Sequence, residues 1–372
     1  MKATALAEAA TLGCLLLDPA AVQGLAGWLR ASDFADPWHA QVYAVIRERH
    51  TAGEPLDAVN VSRHLRDRLG PHRGEPVRLM DLLQAAPLRP HPTRYAAMVL
   101  ESSLRRELVE QGVLLRAGAL SAALTGQSRP VSTATAMAQA ALRGGEQRWE
   151  LACGQPPAAV QPTRPGLEPV LRNMDRALAA DRLLRAHPGL DSGEVRDHEQ
   201  RLVVALILHP KQVPDAAGWL SPDALTDRSW RTVYAALIDL VERGDPVDVV
   251  TVAWQVQHAS RRLGPGPDPE VLVRAVEAAI PEDPGYLARL VAGDLVRRTA
   301  DSAARALATA AANPGIDVRD LFETGRLLAA SVRAAAVALP DQAGEGSPAR
   351  RLQAVRCQPA GSTPALVAPV AG

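Results

Sequence analysis

One segment of this chain returns 191 residues further on, and that repeat limits the possible fold more than any other feature. The pentapeptide GEPLD at residues 53–57 reappears as GDPVD at residues 244–248, each time before a run that contains valines. When the sequence is aligned with itself at this shift of 191 residues and without a gap, GWL at residues 27–29 aligns with GWL at 218–220. A register kept through tryptophan, glycine and proline predicts the tandem duplication of one domain.

Each copy has the sequence pattern of helices. Val42 and Ile46 in the first copy, and Val233 and Leu237 in the second, recur four residues apart before a glycine that ends the run. Aromatic residues make up 3% of the chain, and β-branched runs are few. We therefore predict an all-α fold in which each copy is a small helical bundle followed by a helical arm or hairpin. Five tryptophans are expected in the core rather than as ligand-stacking residues: Trp28, Trp38, Trp219, Trp230 and Trp254.

The repeat also predicts the domain boundaries. We expect copy one over residues 1–144 and copy two over residues 198–339. Residues 145–197 have the composition of a linker that contains one helical patch. Residues 340–372 are rich in glycine, proline, alanine and serine, and we expect a disordered tail there.

The repeated turn itself has two interpretations. Its aspartates, Asp57 and Asp248, stand directly before a helical run, where a carboxylate can accept hydrogen bonds from the free backbone N–H groups of the first turn. The alternative is a pair of acids or bases in an active-site loop. Capping explains the position with fewer assumptions, so we predict that both aspartates are structural caps.

No motif in the sequence predicts catalysis, a metal site or a cofactor. A phosphate-binding Walker A loop needs a lysine preceded by glycine, and the lysines of this chain, Lys2 and Lys211, have no such neighbour. Three cysteines lie far apart, which predicts neither a zinc site nor a disulfide framework and favours a reducing compartment. The N-terminal run is too short and too interrupted to span a membrane. The formal net charge is zero, which argues against a protein that wraps nucleic acid.

Taken in order, the repeated motifs resemble the N-terminal domain of DnaB-type replicative helicases. The shared pattern is a glutamate and a leucine-rich helix ending at a proline, an aromatic-bearing helix, the Gly-x-Pro-x-Asp turn and a valine-rich helix. A hairpin like NPGIDVRDLFETGRLL closes it. The second copy departs from the first where Ala224 and Leu225 replace Asp33 and Phe34. Without a Walker A lysine, we expect no ATP hydrolysis and no unwinding by this chain alone.

The resemblance implies a protein-interaction module. In that family the domain assembles through helical hairpins and docks primase or loader proteins, so we expect a cytoplasmic, replisome-associated adaptor for the helicase, the primase or both. Self-association through the hairpins is a further expectation. The apolar stripe expected to pack hairpin against hairpin is Leu295, Leu307, Phe322, Leu327 and Leu328.

The alternative function is a helical DNA-binding or transcription-linked protein. Its arms would place arginines on phosphates, and the candidates are Arg105, Arg106, Arg297 and Arg298. Neither clustered aromatics nor excess positive charge accompanies them, so we expect DNA contact to be weak or indirect.

Overall fold

A computed structural model describes residues 3–70, 76–155, 167–187 and 189–339. Their regular secondary structure consists of fifteen α-helices and three short 3-10 helices, with no strand among the described residues, which confirms the predicted all-α class. No helix in the described ranges combines the length and the apolar character that crossing a lipid bilayer demands. Residues 156–166 of the predicted linker and the predicted tail at 340–372 lie outside the described residues.

The helices follow the order of the repeat. Those of the first copy are α1 (Ala3–Leu17), α2 (Ala21–Leu25), α3 (Pro37–Thr51), α4 (Ala58–Leu69), α5 (Pro76–Ala85), α6 (Pro92–Thr125) and α7 (Arg129–Ala152). The predicted linker at residues 145–197 contains one complete helix, α8 (Leu167–Ala186), and also the end of α7 and the start of α9. Those of the second copy are α9 (Ser192–Leu208), α10 (Val213–Ala217), α11 (Arg228–Arg243), α12 (Val249–Leu263), α13 (Pro269–Glu277), α14 (Pro284–Ala312) and α15 (Val318–Ala336).

The chain divides into two compact units that differ from the two sequence copies. The first unit holds Met1–Ser121 and Pro130–Pro188, and it also takes Arg297–Ala334 from the second copy. The second unit is built around Gly189–Val296 and includes Ala122–Arg129. Most of the helical hairpin of the second copy is therefore part of the first unit.

A buried glutamate fixes the entrance to the same helix in both copies. The Glu8 side chain accepts a hydrogen bond from the backbone N–H of Ala35 at 2.6 Å. The Glu199 side chain accepts one from the backbone N–H of Asp227 at 2.8 Å. Both glutamates are almost completely buried, a position that a carboxylate tolerates only when hydrogen bonds replace its water. Asp36 and Asp227 then cap α3 and α11 with their own side chains.

A buried tyrosine ties the middle of that helix to the preceding loop. The Tyr43 hydroxyl donates to the Leu29 carbonyl at 3.3 Å, and the Tyr234 hydroxyl donates to the Leu220 carbonyl at 3.0 Å. Burial raises the pKa of both phenols, so each stays protonated and remains a donor. The repeat register therefore keeps the hydrogen-bonding frame of the bundle as well as its apolar core.

Candidate protein-interaction site: the paired helical hairpins

Two helical hairpins pack together inside the first unit. The first hairpin is formed by α6 and α7, and the second hairpin is formed by residues 297–334 of α14 and α15. Within the first hairpin, a Cβ placed on Gly118 would lie 2.6 Å from the Cβ of Ala134 and 3.1 Å from the Pro130 carbonyl oxygen. Glycine is needed there because the backbones of α6 and α7 approach too closely for any side chain.

Small residues also line the contact between the two hairpins. A Cβ on Gly112 of α6 would lie 3.2 Å from the Cα of Ala304 on α14. On the other side, a Cβ on Gly145 of α7 would lie 3.0 Å from the ring of Phe322 on α15. The Gly325 position on α15 faces Leu142 in the same way. Apolar packing at such short range is typical of an interior rather than of a surface that waits for a partner.

Arg105 of α6 holds the turn of the second hairpin. Its guanidinium donates to three carbonyl oxygens there, those of Ala311 at 3.4 Å, Asn313 at 2.9 Å and Ile316 at 2.8 Å. Its remaining N–H groups donate to Glu101. These carbonyls lie at the end of α14 and in the turn after it, where the helical hydrogen-bond ladder stops. The Asn313 carbonyl also accepts from the backbone N–H of Ile316 at 3.3 Å. Arg105 thus adds side-chain donors to a turn that has few backbone donors of its own.

Two ion pairs extend the same interface. Arg116 of α6 pairs with Asp301 of α14 at 2.6 Å. Arg326 of α15 pairs with Glu146 of α7 at 2.8 Å. These groups are partly exposed, so each pair adds little stability, but together they fix how the hairpins align.

The structure divides the predicted apolar stripe. Phe322 and Leu307 are buried inside the first unit, and Leu328 is half-buried. Leu327 is 66% exposed, because it stands five residues after Phe322 and a helical period of 3.6 turns it away from the packed side. Leu295 belongs to the second unit, where it is half-buried. The five residues therefore do not form one face, and Leu327 is the most exposed of them.

The predicted arginine arms are engaged within the chain. Arg106 donates to the Asp33 carbonyl oxygen at 2.6 Å and to the Ser102 hydroxyl at 3.1 Å. Arg297 and Arg298 are half-buried at the start of the second hairpin, and both interact with other groups.

An ionic cluster that sequence reasoning missed joins α7 to the first bundle. Arg148 is buried and donates to both carboxylate oxygens of the fully buried Asp33. Its other N–H groups reach the Trp28 carbonyl at 2.9 Å and Glu107 at 3.2 Å. The Ser103 hydroxyl adds a further donor to Asp33 at 2.9 Å. Burial disfavours the charged guanidinium, but the two carboxylates outweigh it and raise the pKa of Arg148 above its usual value.

One sequence signal pointed to this cluster without identifying it. The repeat places Ala224 opposite Asp33, so an aspartate in the first copy has an apolar counterpart in the second. Such an exchange marks a residue whose partner lies outside the repeated bundle. The partner, Arg148, is 115 residues away and has no motif of its own.

The repeated turn holds its aspartates at helix N-termini. The Asp57 carboxylate accepts from the backbone N–H of Asn60 at 2.9 Å, and Asp248 accepts from Val250 at 2.8 Å and Thr251 at 2.9 Å. Hydrogen bonds from the backbone N–H groups, that of Asn60 for Asp57 and that of Thr251 for Asp248, lower the pKa of each carboxyl. Both side chains are exposed at the surface.

The tryptophans divide in a way that the sequence did not predict. Trp28, Trp38 and Trp230 are buried, as expected for core residues, and Trp219 is half-buried. Trp254 on α12 is 65% exposed and stacks on His258 with ring centroids 4.5 Å apart, so its prediction as a core residue was wrong. Among the residues that the structure describes, no three His, Cys, Asp or Glu side chains come together to hold a metal ion.

Comparison with known proteins agrees with the duplicated architecture. The family model for the DnaB-like helicase N terminal domain matches residues 2–101 and again residues 194–291, which is more than half of the chain. The two separate matches confirm the tandem duplication predicted from the repeat.

Several replicative helicases are similar to part of this chain. The replicative DNA helicase DnaB of Mycobacterium leprae is 39% identical over 109 residues, which cover 28% of this chain and 18% of that protein. The DnaB helicase of Leifsonia xyli is 36% identical over 109 residues, covering 29% of this chain and 24% of that protein. The DnaB helicase of Rhodothermus marinus is 28% identical over 173 residues, which cover 44% of this chain and 18% of that protein. The chain thus spans about a fifth of the length of these relatives.

Proposed function

Because the chain belongs to the DnaB-like helicase N-terminal domain family and carries that domain twice, we propose that it is a non-catalytic accessory protein of DNA replication. It acts as an adaptor that docks on the replicative helicase, on primase or on both. It works in the cytoplasm, at the nucleoid where the replisome assembles. The proposal keeps residues 1–144 and 198–339 as the two docking domains.

The pairing of the two hairpins within one chain is the observation that carries this proposal. Arg105 closes on the turn of the second hairpin, and Phe322 packs against the first hairpin. A single chain therefore holds two family domains with their hairpins already joined, and it needs no second molecule to complete that contact. A permanently paired set of docking domains suits an adaptor that presents both domains at once.

The proposed adaptor acts without hydrolysing ATP. The family match and the curated relatives cover the N-terminal domain of the helicases, and the sequence has no lysine that a Walker A loop could use. In this proposal the adaptor recruits, covers or inhibits an enzyme without hydrolysing ATP.

The DNA-binding alternative receives less support from the arginine arms. A guanidinium has five N–H donors, and those of Arg105 are already directed at carbonyl oxygens and Glu101. Arg106 is likewise committed to the Asp33 carbonyl and Ser102. Phosphate binding by either residue would require breaking those hydrogen bonds.

A binding experiment with purified proteins tests the proposal. The full chain is mixed with the replicative helicase or the primase of the same host, and complex formation is measured by biolayer interferometry. We expect a specific complex with at least one of them. Leu327→Glu, which puts a charge on the exposed side of the second hairpin, is expected to weaken it by about tenfold or more.

Leu178→Glu is the matched control, because Leu178 is a similarly exposed leucine on α8. It should leave the affinity unchanged. ATP turnover by the chain alone, or binding only to oligonucleotides with a steep dependence on salt, would contradict the adaptor function.

A further inference from the structure

A cleft between α7 and α15 is lined mainly by charged side chains. It has a volume of about 190 Å³ and lies within the first unit, where the two hairpins pack together. We call it the α7–α15 cleft. Its lining consists of Glu146, Trp149, Glu150, Gln155, Arg319, Asp320, Glu323 and Arg326. Because four carboxylates and two guanidiniums line it, the cleft has a net formal charge of −2.

The contacts within the cleft leave this negative charge in place. Arg326 pairs with Glu146 at 2.8 Å, and Arg319 donates to the side-chain oxygen of Gln155 at 3.1 Å. In the described part of the chain, the other three carboxylates pair with no cation. The residues that form the cleft therefore do not neutralise it.

Helix stability explains one of the three unpaired carboxylates but not all of them. Asp320 lies in the first turn of α15, where the helix dipole stabilises an anion. Glu150 lies in the last turn of α7, where the dipole disfavours an anion. The charge of Glu150 is thus placed against the preference of its own helix. Such departures from local preference are typical of functional sites.

Hairpin packing does not explain the acidic side chains either. The buried positions Val131, Ala134, Thr135, Ala138, Leu142 and Gly145 of α7 recur with identical spacing in α15, at a shift of 187 residues that takes Val131 to Val318. The same shift takes Glu150 to Val337, and it aligns Glu323 with Ala136. The two helices therefore share one packing pattern that does not need a carboxylate at these positions.

The size and the chemistry of the cleft identify its occupant. Its volume is below the roughly 300 Å³ at which sites for small-molecule ligands begin, so it suits a single long side chain. Trp149 is half-buried in its wall, and an indole ring attracts ammonium and guanidinium groups. Carboxylates bind the same groups through charge-assisted hydrogen bonds. A nucleic-acid phosphate would instead meet a net negative charge, so the observations favour a basic side chain of a protein.

We propose that the α7–α15 cleft binds an arginine or lysine side chain of a partner protein. The inference rests on the proposed adaptor function and gives the chemistry by which the chain docks on the helicase or the primase. The cation of the partner lies over Trp149 and pairs with Glu150 and Glu323. The exposed Leu327, one helical turn after Glu323 on α15, continues the same surface with an apolar contact.

Titration of the full chain with a small cation tests the cleft without a partner protein. The probe is N-acetylarginine methylamide, and the corresponding citrulline compound has nearly the same shape without the charge. The signal is the indole N–H resonance of Trp149, which Trp149→Phe identifies in the NMR spectrum. We expect the arginine compound to shift this resonance with millimolar affinity. The citrulline compound should bind about fivefold more weakly or less, because it lacks the cation.

A pair of substitutions links the cleft to partner binding. Glu150→Gln with Glu323→Gln removes two charges and keeps the shape of both side chains. It should weaken binding of the arginine compound by about fivefold. It should also weaken the complex with the helicase or the primase by about tenfold at low ionic strength, and salt should reduce this effect. Asp320 is left in place because it stabilises the start of α15.

Glu242→Gln with Glu277→Gln is the matched control, because it makes the same change in net charge at two exposed glutamates of the second unit. It should leave both affinities unchanged, and circular dichroism verifies that both double variants fold. Equal shifts of the Trp149 resonance by the two compounds, or equal effects of the two double variants, would overturn the proposal even if the chain binds a partner. If the arginine compound binds as expected but neither the helicase nor the primase forms a complex, the cation site stands and the adaptor function fails.

Discussion

Removing the buried guanidinium of Arg148 should destabilise the first unit by about 3 kcal/mol. The substitution Arg148→Met keeps the length and apolar stem of the side chain but leaves Asp33, which is fully buried, without its cation. Breaking a buried ion pair in this way costs about 3–5 kcal/mol. The lower end applies because Asp33 keeps the backbone N–H of Arg30 at 2.6 Å and the Ser103 hydroxyl at 2.9 Å.

The pairing of charges can be separated from the loss of packing by a double substitution. In Asp33→Ala with Arg148→Met no buried charge remains unpaired, so we expect the double variant to lie within about 1 kcal/mol of the parent chain. Glu107, the other carboxylate beside Arg148, is 36% exposed and regains water when the guanidinium is removed. The second copy supports this reasoning, since a shift of 191 residues puts the buried apolar residue Ala224 at the position of Asp33.

Urea unfolding followed by tryptophan fluorescence measures these free energies. Because the chain has two compact units, hydrogen exchange of peptides from α7 and from α11 assigns the loss to one of them. The reasoning is refuted if Arg148→Met costs less than about 1 kcal/mol, or if the double variant is as unstable as the sum of the single ones.

Two further predictions concern local packing and pH. Gly13→Val should lower the free energy of unfolding of the first unit in urea by about 1–3 kcal/mol, because the new side chain would collide with the Leu82 backbone. Gly24→Val is the control, because Gly24 lies at an open helical position, and it should be neutral or slightly stabilising. Equal effects of the two substitutions would contradict this prediction. Asp248→Ala should cost about 1 kcal/mol at neutral pH. Hydrogen bonding lowers the pKa of the Asp248 carboxyl in the folded state. The stability difference between the parent chain and Asp248→Ala should therefore have its full size above the unfolded pKa of about 3.9, and it should disappear as the pH falls through the lower folded pKa. A difference that persists in strong acid would exclude capping by the ionised carboxylate.

The features that the sequence predicted well are local or repeated. A cap such as Asp248 bonds to N–H groups two and three residues away, so its partners are visible in the same short segment. The bundle frame was predictable because Tyr43 and Tyr234 occupy the same register, and chance rarely preserves a bulky residue with its surroundings. The helical class followed from the same patterns.

The features that the sequence did not predict depend on partners far away along the chain. Arg148 and Asp33 are separated by 115 residues, and neither position reveals the other without a tertiary structure. The apolar stripe differs for another reason: Leu327 and Phe322 were predicted to share one packing face, although they stand five residues apart and helical geometry places them on different sides. Trp254 was expected in the core because of its residue type, yet its position on α12 leaves it exposed.

The differences between the copies indicate different tasks. The first copy retains Gly13, which closes its α1–α5 contact, and Asp33, which binds Arg148 from the first hairpin. Both features bury surface within the first unit. The second copy has Val204 and Ala224 at those positions, so it has neither the closed contact nor the buried anion. Between α9 and α13 of the second copy lies a groove of about 210 Å³, and Ile280 at its edge is 79% exposed. Exposed apolar side chains of this kind promote association. If the second copy serves a partner, its groove rather than the closed α1–α5 contact of the first copy is where substitutions such as Ile280→Glu should alter binding.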